Sequence, residues 1–306
     1  MDTKQIEYIL KIAEENNITK AAEKLFITQS ALNQQLLKLE KELGTPLFHR
    51  SRTNWRLTEA GEIYIEGAKA ALQIKNTTYN RIYDVVSARK GHLTIGLTPG
   101  RGLRMFTAIY PELHRSFPNL DVRPIEMRVR AQQDAIAKGE IDVGLMTLAR
   151  RDQTSDTYYP LKQEELVLII PAGHPLAAKA APSGKPLATL DLTELRYEPF
   201  VLMDKTSTLR SSCDLLFEKA GFAPNILFET NNTSGIAAMV QSTLCCGIIP
   251  RYYTLGLTEG VACFSLPERP SWEIVISCQK NGYLNSGARE FIRLAREYWE
   301  NSAPLF

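Results

Sequence analysis

Along the first 90 residues, apolar positions recur at the three- and four-residue spacing of helices with one buried face. Ile6, Ile9, Leu10 and Ala13 mark a first helix that ends at Asn16-Asn17, and Asp2 followed by Gln5 resembles a capping box at its start. Thr19 is placed to cap a second, short helix, KAAEKLF, in which Ala21 and Ala22 allow a neighbouring helix to come close. After a tight turn at Phe26-Ile27, Thr28 opens a third helix whose Leu32, Leu36, Leu39 and Leu43 form one buried stripe. Its other side carries Ser30, Gln34, Lys38 and Lys41, with Gln29 and Asn33 along the flank. Gly44-Thr45-Pro46 stops that helix. LFHR and WRLT, separated by Ser51-Arg52-Thr53-Asn54, predict a small hairpin bearing Arg50, Arg52 and Arg56. From Thr58 to about Arg89, Tyr64, Gly67, Ala71, Ile74, Thr78, Ile82 and Val85 keep the helical spacing, which predicts a long helix paired with another helix.

From His92 the pattern changes. HLTIGL, LDVRPIEM, IDVGLMT, LVLIIP, FVLM, ILFET, CGIIP, ACFSL and WEIVISCQ read as strands. Helices fall between several of them: one ending at Phe117, then Gln132–Lys138, Thr208–Ala220 closed by Gly221, a helix near Ile236–Gln241, and a final amphipathic helix over Ser286–Glu300. Strand–helix alternation of this kind predicts a mostly parallel sheet. The prolines and polar residues around Ala180–Leu187 predict an exposed loop.

Composition changes this picture little. At 306 residues the chain is long enough for two or three domains, and 44% hydrophobic with 23% charged residues is ordinary soluble composition. The opening MDTKQIEYIL is no secretory signal, and no apolar run is long enough to cross a bilayer, so no membrane partner is expected. Five cysteines without a CxxC pair point to reduced thiols and a cytoplasmic protein. The four isolated histidines offer no metal-ligand spacing, and no cofactor or metal is expected. Charge matters only once divided. Residues 1–90 hold 14 Lys+Arg against 11 Asp+Glu, and residues 20–56 hold seven against three, so the positive excess surrounds the third helix.

The chemistry follows from residue type. Side-chain amides can make paired bonds to base edges, adenine above all, and lysines suit phosphates. A short helix, a brief turn and an amide-bearing helix form a helix-turn-helix. In the α/β part, TPGRG at 98–102 and DKTST at 204–208 are loops between a strand and a helix N-terminus, where free N–H groups and the helix dipole favour anions. Arg128 or Arg130, Thr147 and Asn231 lie at other strand ends. Such hydroxyls and glycines also cap helices without any ligand, and the amide-bearing helix could equally be a core helix with a solvated face.

The run ITKAAEKLFITQSALNQQLLKLEKELGTPLFHR through LTEAG resembles the LysR-type transcriptional regulators, with AAEKL, TQSAL, LEKELGTPLF and LTEAG as landmarks. GEIDVGL, a strand–AGF–strand unit and the CGIIPRYY turn resemble the effector domain of the same family. The resemblance implies a multidomain protein: an all-α-rich winged helix-turn-helix domain plus an α/β bilobed, periplasmic-binding-protein-like effector domain. It places the first over residues 1–58, a linker dimerisation helix over 59–90 and the second over 91–306. Lobe one would take 91–160 and 268–306, and lobe two 161–267. It implies that the helix opened by Thr28 reads double-stranded DNA through Gln29, Ser30, Asn33 and Gln34, with backbone contacts from Lys38, Arg50 and Arg52. A small-molecule effector would sit between facing loops at Thr98, Pro99, Gly100, Arg101 and at Thr206, Ser207, Thr208, with Arg128, Thr147 and Asn231 as further lining. The arginines point to an anionic ligand. Also implied are self-association to a dimer or homotetramer, altered DNA bending, contact with RNA polymerase, and no enzymatic activity.

Two alternatives stand beside this reading. One is a redox switch as in the peroxide-sensing branch, although Thr208 stands where that branch has its reactive cysteine and Cys213 lies inside the helix. The other is an enzyme or solute-binding protein built on the bilobed domain, for which no catalytic arrangement and no export signal are visible. Ser30 and Gln34 depart from the family pattern, which often has proline and arginine there. Losing the arginine removes a fork suited to guanine. Gln34→Arg is therefore expected to shift base preference toward guanine, checked by selecting bound sequences from random DNA with both proteins.

Overall fold

The computed structural model describes residues 2–51, 55–86, 89–182, 184–257 and 259–302. The chain divides into two compact units, residues 1–91 with 138–140, and residues 92–137 with 141–306.

In the first unit, α1 (Thr3–Glu15), α2 (Ile18–Lys24) and α3 (Gln29–Leu43) are followed by β1 (Phe48–His49), β2 (Arg56–Leu57) and α4 (Glu59–Val85). The caps come from short polar side chains. Asp2 accepts from Lys4 N–H, Thr28 from Ala31 N–H and Thr58 from Gly61 N–H. α2 departs from expectation. Asn17, in extended backbone, accepts from the amides of Thr19 and Lys20, so Thr19 already lies inside the helix it was expected to cap.

Ile6, Ile9 and Ile12 are the buried positions of α1, while Leu10 and Ala13 only pack partly against the core. Leu32, Leu36 and Leu39 are buried as the stripe requires, but Leu43 is 45% exposed. α3 stops at Gly44 (φ 72°) and the chain turns back, so Leu47 and Phe48 complete the core in its place. The same turn buries Glu40, whose carboxylate accepts from Leu47 N–H at 2.8 Å and pairs with Arg50. Gly61 lets α4 seat against this turn, since a Cβ there would stand 2.1 Å from the Leu47 carbonyl oxygen.

The periodic run of α4 splits in two. Tyr64, Ile65 and Ala68 belong to the core of this unit, whereas Ile74, Tyr79, Ile82 and Val85 are exposed. The expectation of one continuous pairing seam fails over the first turns, where the helix packs on its own domain.

The turn between α2 and α3 is unusual. Phe26 is held in the left-handed region at φ 56°, a conformation costing an L-residue other than glycine roughly 1–2 kcal/mol. Its ring is 95% exposed, so burial returns none of that cost.

The second unit contains β3 (Lys90–Leu97), α5 (Arg101–Ser116), β4 (Asn119–Glu126), α6 (Val129–Ala137), β5 (Val143–Leu148), β6 (Thr157–Pro171), β7 (Pro199–Met203), α7 (Thr208–Lys219), β8 (Asn225–Thr230), α8 (Thr233–Gln241), β9 (Gly247–Pro250), β10 (Val261–Ser265), β11 (Ser271–Cys278) and α9 (Ser286–Glu300). The main sheet runs β10-β6-β11-β5-β3-β4, with β9 also paired to β6, and β7 pairs β8 separately. This sheet is mixed rather than mostly parallel. In it β3/β5 is parallel, as is the separate β7/β8 pair, but β11 is antiparallel to both β5 and β6, and β6 is antiparallel to β9 and β10. Parallel neighbours need a crossover of a dozen or more residues, usually a helix. β6, β10 and β11 each enter without one.

Two cores result. Leu93, Ile95, Phe106, Phe291 and Trp299 fill one, between the first strands and helices α5 and α9. Leu166, Leu168, Phe200, Phe217 and Phe264 fill the other. β6 serves both lobes, pairing β11 along its first part and then β9 and β10 along its second.

Glu40→Ala would leave the Leu47 amide and Arg50 without their acceptor. It is expected to destabilise the first unit by about 1–3 kcal/mol, read from the urea midpoint. Lys41→Ala, at the exposed neighbouring position, should stay within about 0.5 kcal/mol.

Candidate functional site

The leucine stripe turns the polar side of α3 outward. Thr28, Gln29, Ser30, Gln34 and Lys38 are exposed, and Asn33 is partly buried. These six lie along α3 and its cap, outside the buried leucine stripe. Arg50 is differently engaged. Its guanidinium pairs with the buried Glu40 and lies 5.6 Å from the centre of the Trp55 ring, leaving its side chain 39% exposed. Arg52 lies outside the described residues. The partnership of Glu40 and Trp55 with Arg50 escaped the sequence reading, because nothing in their spacing brings residues 40, 50 and 55 together.

In the second unit, the loop before α5, the β4–α6 junction, the end of β5, and the loops before α7 and α8 enclose a cavity of about 500 Å³. Thr98, Pro99, Gly100, Arg101, Arg128, Thr147, Thr206, Ser207, Thr208 and Asn231 all line it. Arg130, the alternative to Arg128, does not. Three helices begin at this cavity. α5 starts at Gly100 (φ 72°) with no side-chain cap, and the amides of Arg101 and Gly102 donate to the carbonyls of Pro99 and Thr98, both at 3.0 Å. Ser207 caps α7 by accepting from Leu209 N–H, and Asn232 caps α8 by accepting from Ser234 N–H.

The charged groups are mutually paired. Arg101 is 6% exposed, pairs with the fully buried Glu164, and has its guanidinium 5.1 and 5.4 Å from the ring centres of Tyr252 and Tyr253. Glu164 also accepts from Trp272 Nε1 at 2.8 Å and Tyr252 N–H at 2.9 Å. Burial works against the charge on Arg101, but the neighbouring Glu164 carboxylate outweighs it and raises the guanidinium above its ordinary value. Arg128 donates to Asp204 at 2.8 Å and to the Thr206 hydroxyl. Burial likewise opposes ionised Asp204, but the bonds from Thr206 and Arg128 hold the carboxyl below its ordinary value. That pairing contributes stability above the carboxyl's unfolded value, lost as the pH falls through the lowered one. Thr208 donates to the Thr147 carbonyl at 3.1 Å, tying the start of α7 to the end of β5.

Met203, Asp204, Asn232, Pro250, Tyr253 and Trp272 are among the further lining residues and were not singled out as site candidates. Asp204 and Asn232 had a readable signal, since Asp204 opens the DKTST loop already singled out and Asn232 follows Asn231. Tyr253 closes the CGIIPRYY turn already noted, whereas Trp272 comes from a distant segment and had none.

Burial pushes the thiols of Cys213 and Cys246 up to about 12 and that of Cys263 to about 11, and also raises Cys245 and Cys278. Among the described residues no cluster could hold a metal ion, and no helix is long and apolar enough to cross a membrane.

A helix-turn-helix with an open polar recognition face, in one chain with a bilobed unit enclosing a cavity, is the build of a ligand-responsive DNA-binding regulator. Residues 3–62 match the model of the bacterial regulatory helix-turn-helix protein, lysR family, and residues 87–300 match that of the LysR substrate binding domain. The chain belongs to the LysR family of transcriptional regulators.

An uncharacterized HTH-type transcriptional regulator of Bacillus subtilis, YcgK, is 29% identical over 309 residues, covering 97% of this chain and 94% of its own. The Hca operon transcriptional activator HcaR of Escherichia coli is 27% identical over 299 residues, covering 97% and 98%. Two solved structures share the fold at 20% identity. A full-length OxyR variant from Pseudomonas aeruginosa has a TM-score of 0.69 over 100% of both chains. CbnR complexed with its target DNA has 0.67 over 97% of this chain and 99% of that one.

Thiolate, not thiol, is the reacting form of cysteine. The native protein at pH 8 is therefore expected to react only slowly with a disulfide reagent, and to release five equivalents of reactive thiol on unfolding. Rapid native labelling of Cys213 would restore the redox alternative.

Proposed function

We propose that the chain reads its operator through Gln29, Ser30, Asn33 and Gln34, with Thr28 and Lys38 at the phosphates, and responds to a small effector bearing one anionic group. The observation that carries the effector reading is the 500 Å³ cavity onto which α5, α7 and α8 open. Helix N-termini stabilise negative charge through free amides and the helix dipole. The cavity's two arginines do not enter this account as free cations, because Glu164 and Asp204 already balance them. A monocarboxylate suits such a site better than a dianion, whose second charge would meet no unpaired partner. Arg128 is the more adaptable of the two, being 47% exposed where Arg101 is buried.

The working division is a DNA-binding domain over residues 1–58, a linker helix over 59–90 and an effector domain over 91–306. Exposed Ile74, Tyr79, Ile82 and Val85 on α4 make it the surface for self-association to a dimer or tetramer. Effector occupancy would bias one arrangement of lobes and subunits over another, and with it the bending of DNA and contact with RNA polymerase. The protein would act in the cytoplasm and bind its effector without turning it over.

Mobility shift with the DNA flanking the protein's own gene tests the proposal. A retarded band that weakens steeply with salt is expected, and Lys38→Ala should weaken binding across sequences while reducing the salt slope. No retarded band at low salt would overturn it.

A further inference from the structure

Each of the first three helices ends in a left-handed residue, and two use types that tolerate it. Asn16 closes α1 at φ 48° and Gly44 closes α3 at φ 72°. α2 is closed by Phe26 at φ 56°. The ending itself is regular: Phe26 N–H donates to the Glu23 carbonyl and Ile27 N–H to that of Ala22, both at 3.1 Å. This pair of bonds defines the Schellman motif, whose left-handed position is normally taken by glycine. Nothing in the turn calls for an aromatic ring. The ring is 95% exposed, so it does not serve the core either. Single exposed apolar residues are ordinary on protein surfaces. An exposed aromatic residue that also sits in a disfavoured backbone conformation has no explanation in folding, and such outliers cluster where a surface is used.

Its place in the chain indicates the use. Two residues later Thr28 caps α3, and the exposed Gln29 and Ser30 begin the recognition face. Phe26 thus stands two residues before the cap, beside the end of α3 that a helix-turn-helix turns toward the bases. Along the major groove, hydrogen-bond donors and acceptors are read by amides, but the C5-methyl of thymine is an apolar mark that amides cannot reward. An exposed phenyl ring can. We propose that Phe26 is a specificity-determining residue that packs on a thymine methyl at the edge of the half-site read by α3. This rests on α3 being the recognition helix.

The test uses the full chain, its Phe26→Gly and Phe26→Asn variants, and the flanking DNA prepared with thymine or with uracil, which lacks only the methyl. Wild type should bind the uracil duplex roughly fourfold more weakly, the worth of about one buried methyl. Both variants should bind the two duplexes alike, and both more weakly than wild type binds the thymine duplex. Because both replacement residues accept a left-handed backbone, each variant should also unfold roughly 3 °C or more above wild type. Equal losses on uracil DNA by wild type and variants would overturn the proposal, as would undiminished variant affinity for thymine DNA. A fall in the native mass of the variants would assign the ring to a contact between protein copies and overturn it too. Failure of wild type to retard either duplex would instead remove the recognition-helix reading beneath it.

Discussion

A carboxylate fully removed from water must be matched by donors, and Glu164 meets that demand with Arg101, the Trp272 indole and the Tyr252 amide. Those partners come from the start of α5, from β11 and from the turn after β9. Their convergence on one side chain of β6 sets where the floor of the cavity lies. Glu165, next along the strand, is equally buried and takes Arg251 and Arg269. Two adjacent buried acids with three arginines between them form a charged pin at the crossing of the lobes. Breaking either pair would leave an uncompensated charge inside the protein, so the cavity's walls are held in register by electrostatics as much as by packing.

With its own cations paired in that way, the cavity presents hydroxyls and helix N-termini to whatever enters it. Such groups are directional, and they are positioned by secondary structure rather than by flexible side chains. The position of those groups depends on where α5, α7 and α8 begin, which the two lobes decide jointly. Open α/β sheets commonly bind ligands at the carboxyl ends of their strands, and β3, β5, β7 and β8 end here.

Much of this was legible in the sequence, and the failures have physical causes. Leu32, Leu36 and Leu39 reported their burial through spacing alone, because a helix repeats the same geometry at every turn. Leu43 kept the spacing but lost its cover, since burial at a helix end depends on what the chain does next. Thr19 and Asn17 are both good caps, and only backbone geometry decides between them. The loops at 98–102 and 204–208 could be singled out by residue type, and every candidate chosen there lines the cavity. What they offer a ligand could not be read. Arg101 and Glu164 are 63 positions apart, as are no two residues that a local pattern can relate, and their pairing removes a charge that composition alone would have counted as available. Strand direction was misjudged for β6, β10 and β11 for a related reason. Alternation predicts parallel order only where a helix makes the return journey.

β6 also bears on how the second unit can be taken apart. Fifteen consecutive residues of one strand contribute to both lobes, pairing β11 at one end and lying between β9 and β10 at the other. Cutting the chain between the lobes would strip each sheet of an internal strand and leave two open, apolar edges, the arrangement from which aggregation starts. Neither lobe is thus a module that could be expressed or transplanted alone. The shared strand couples them, because loosening one lobe frees a strand on which the other also depends.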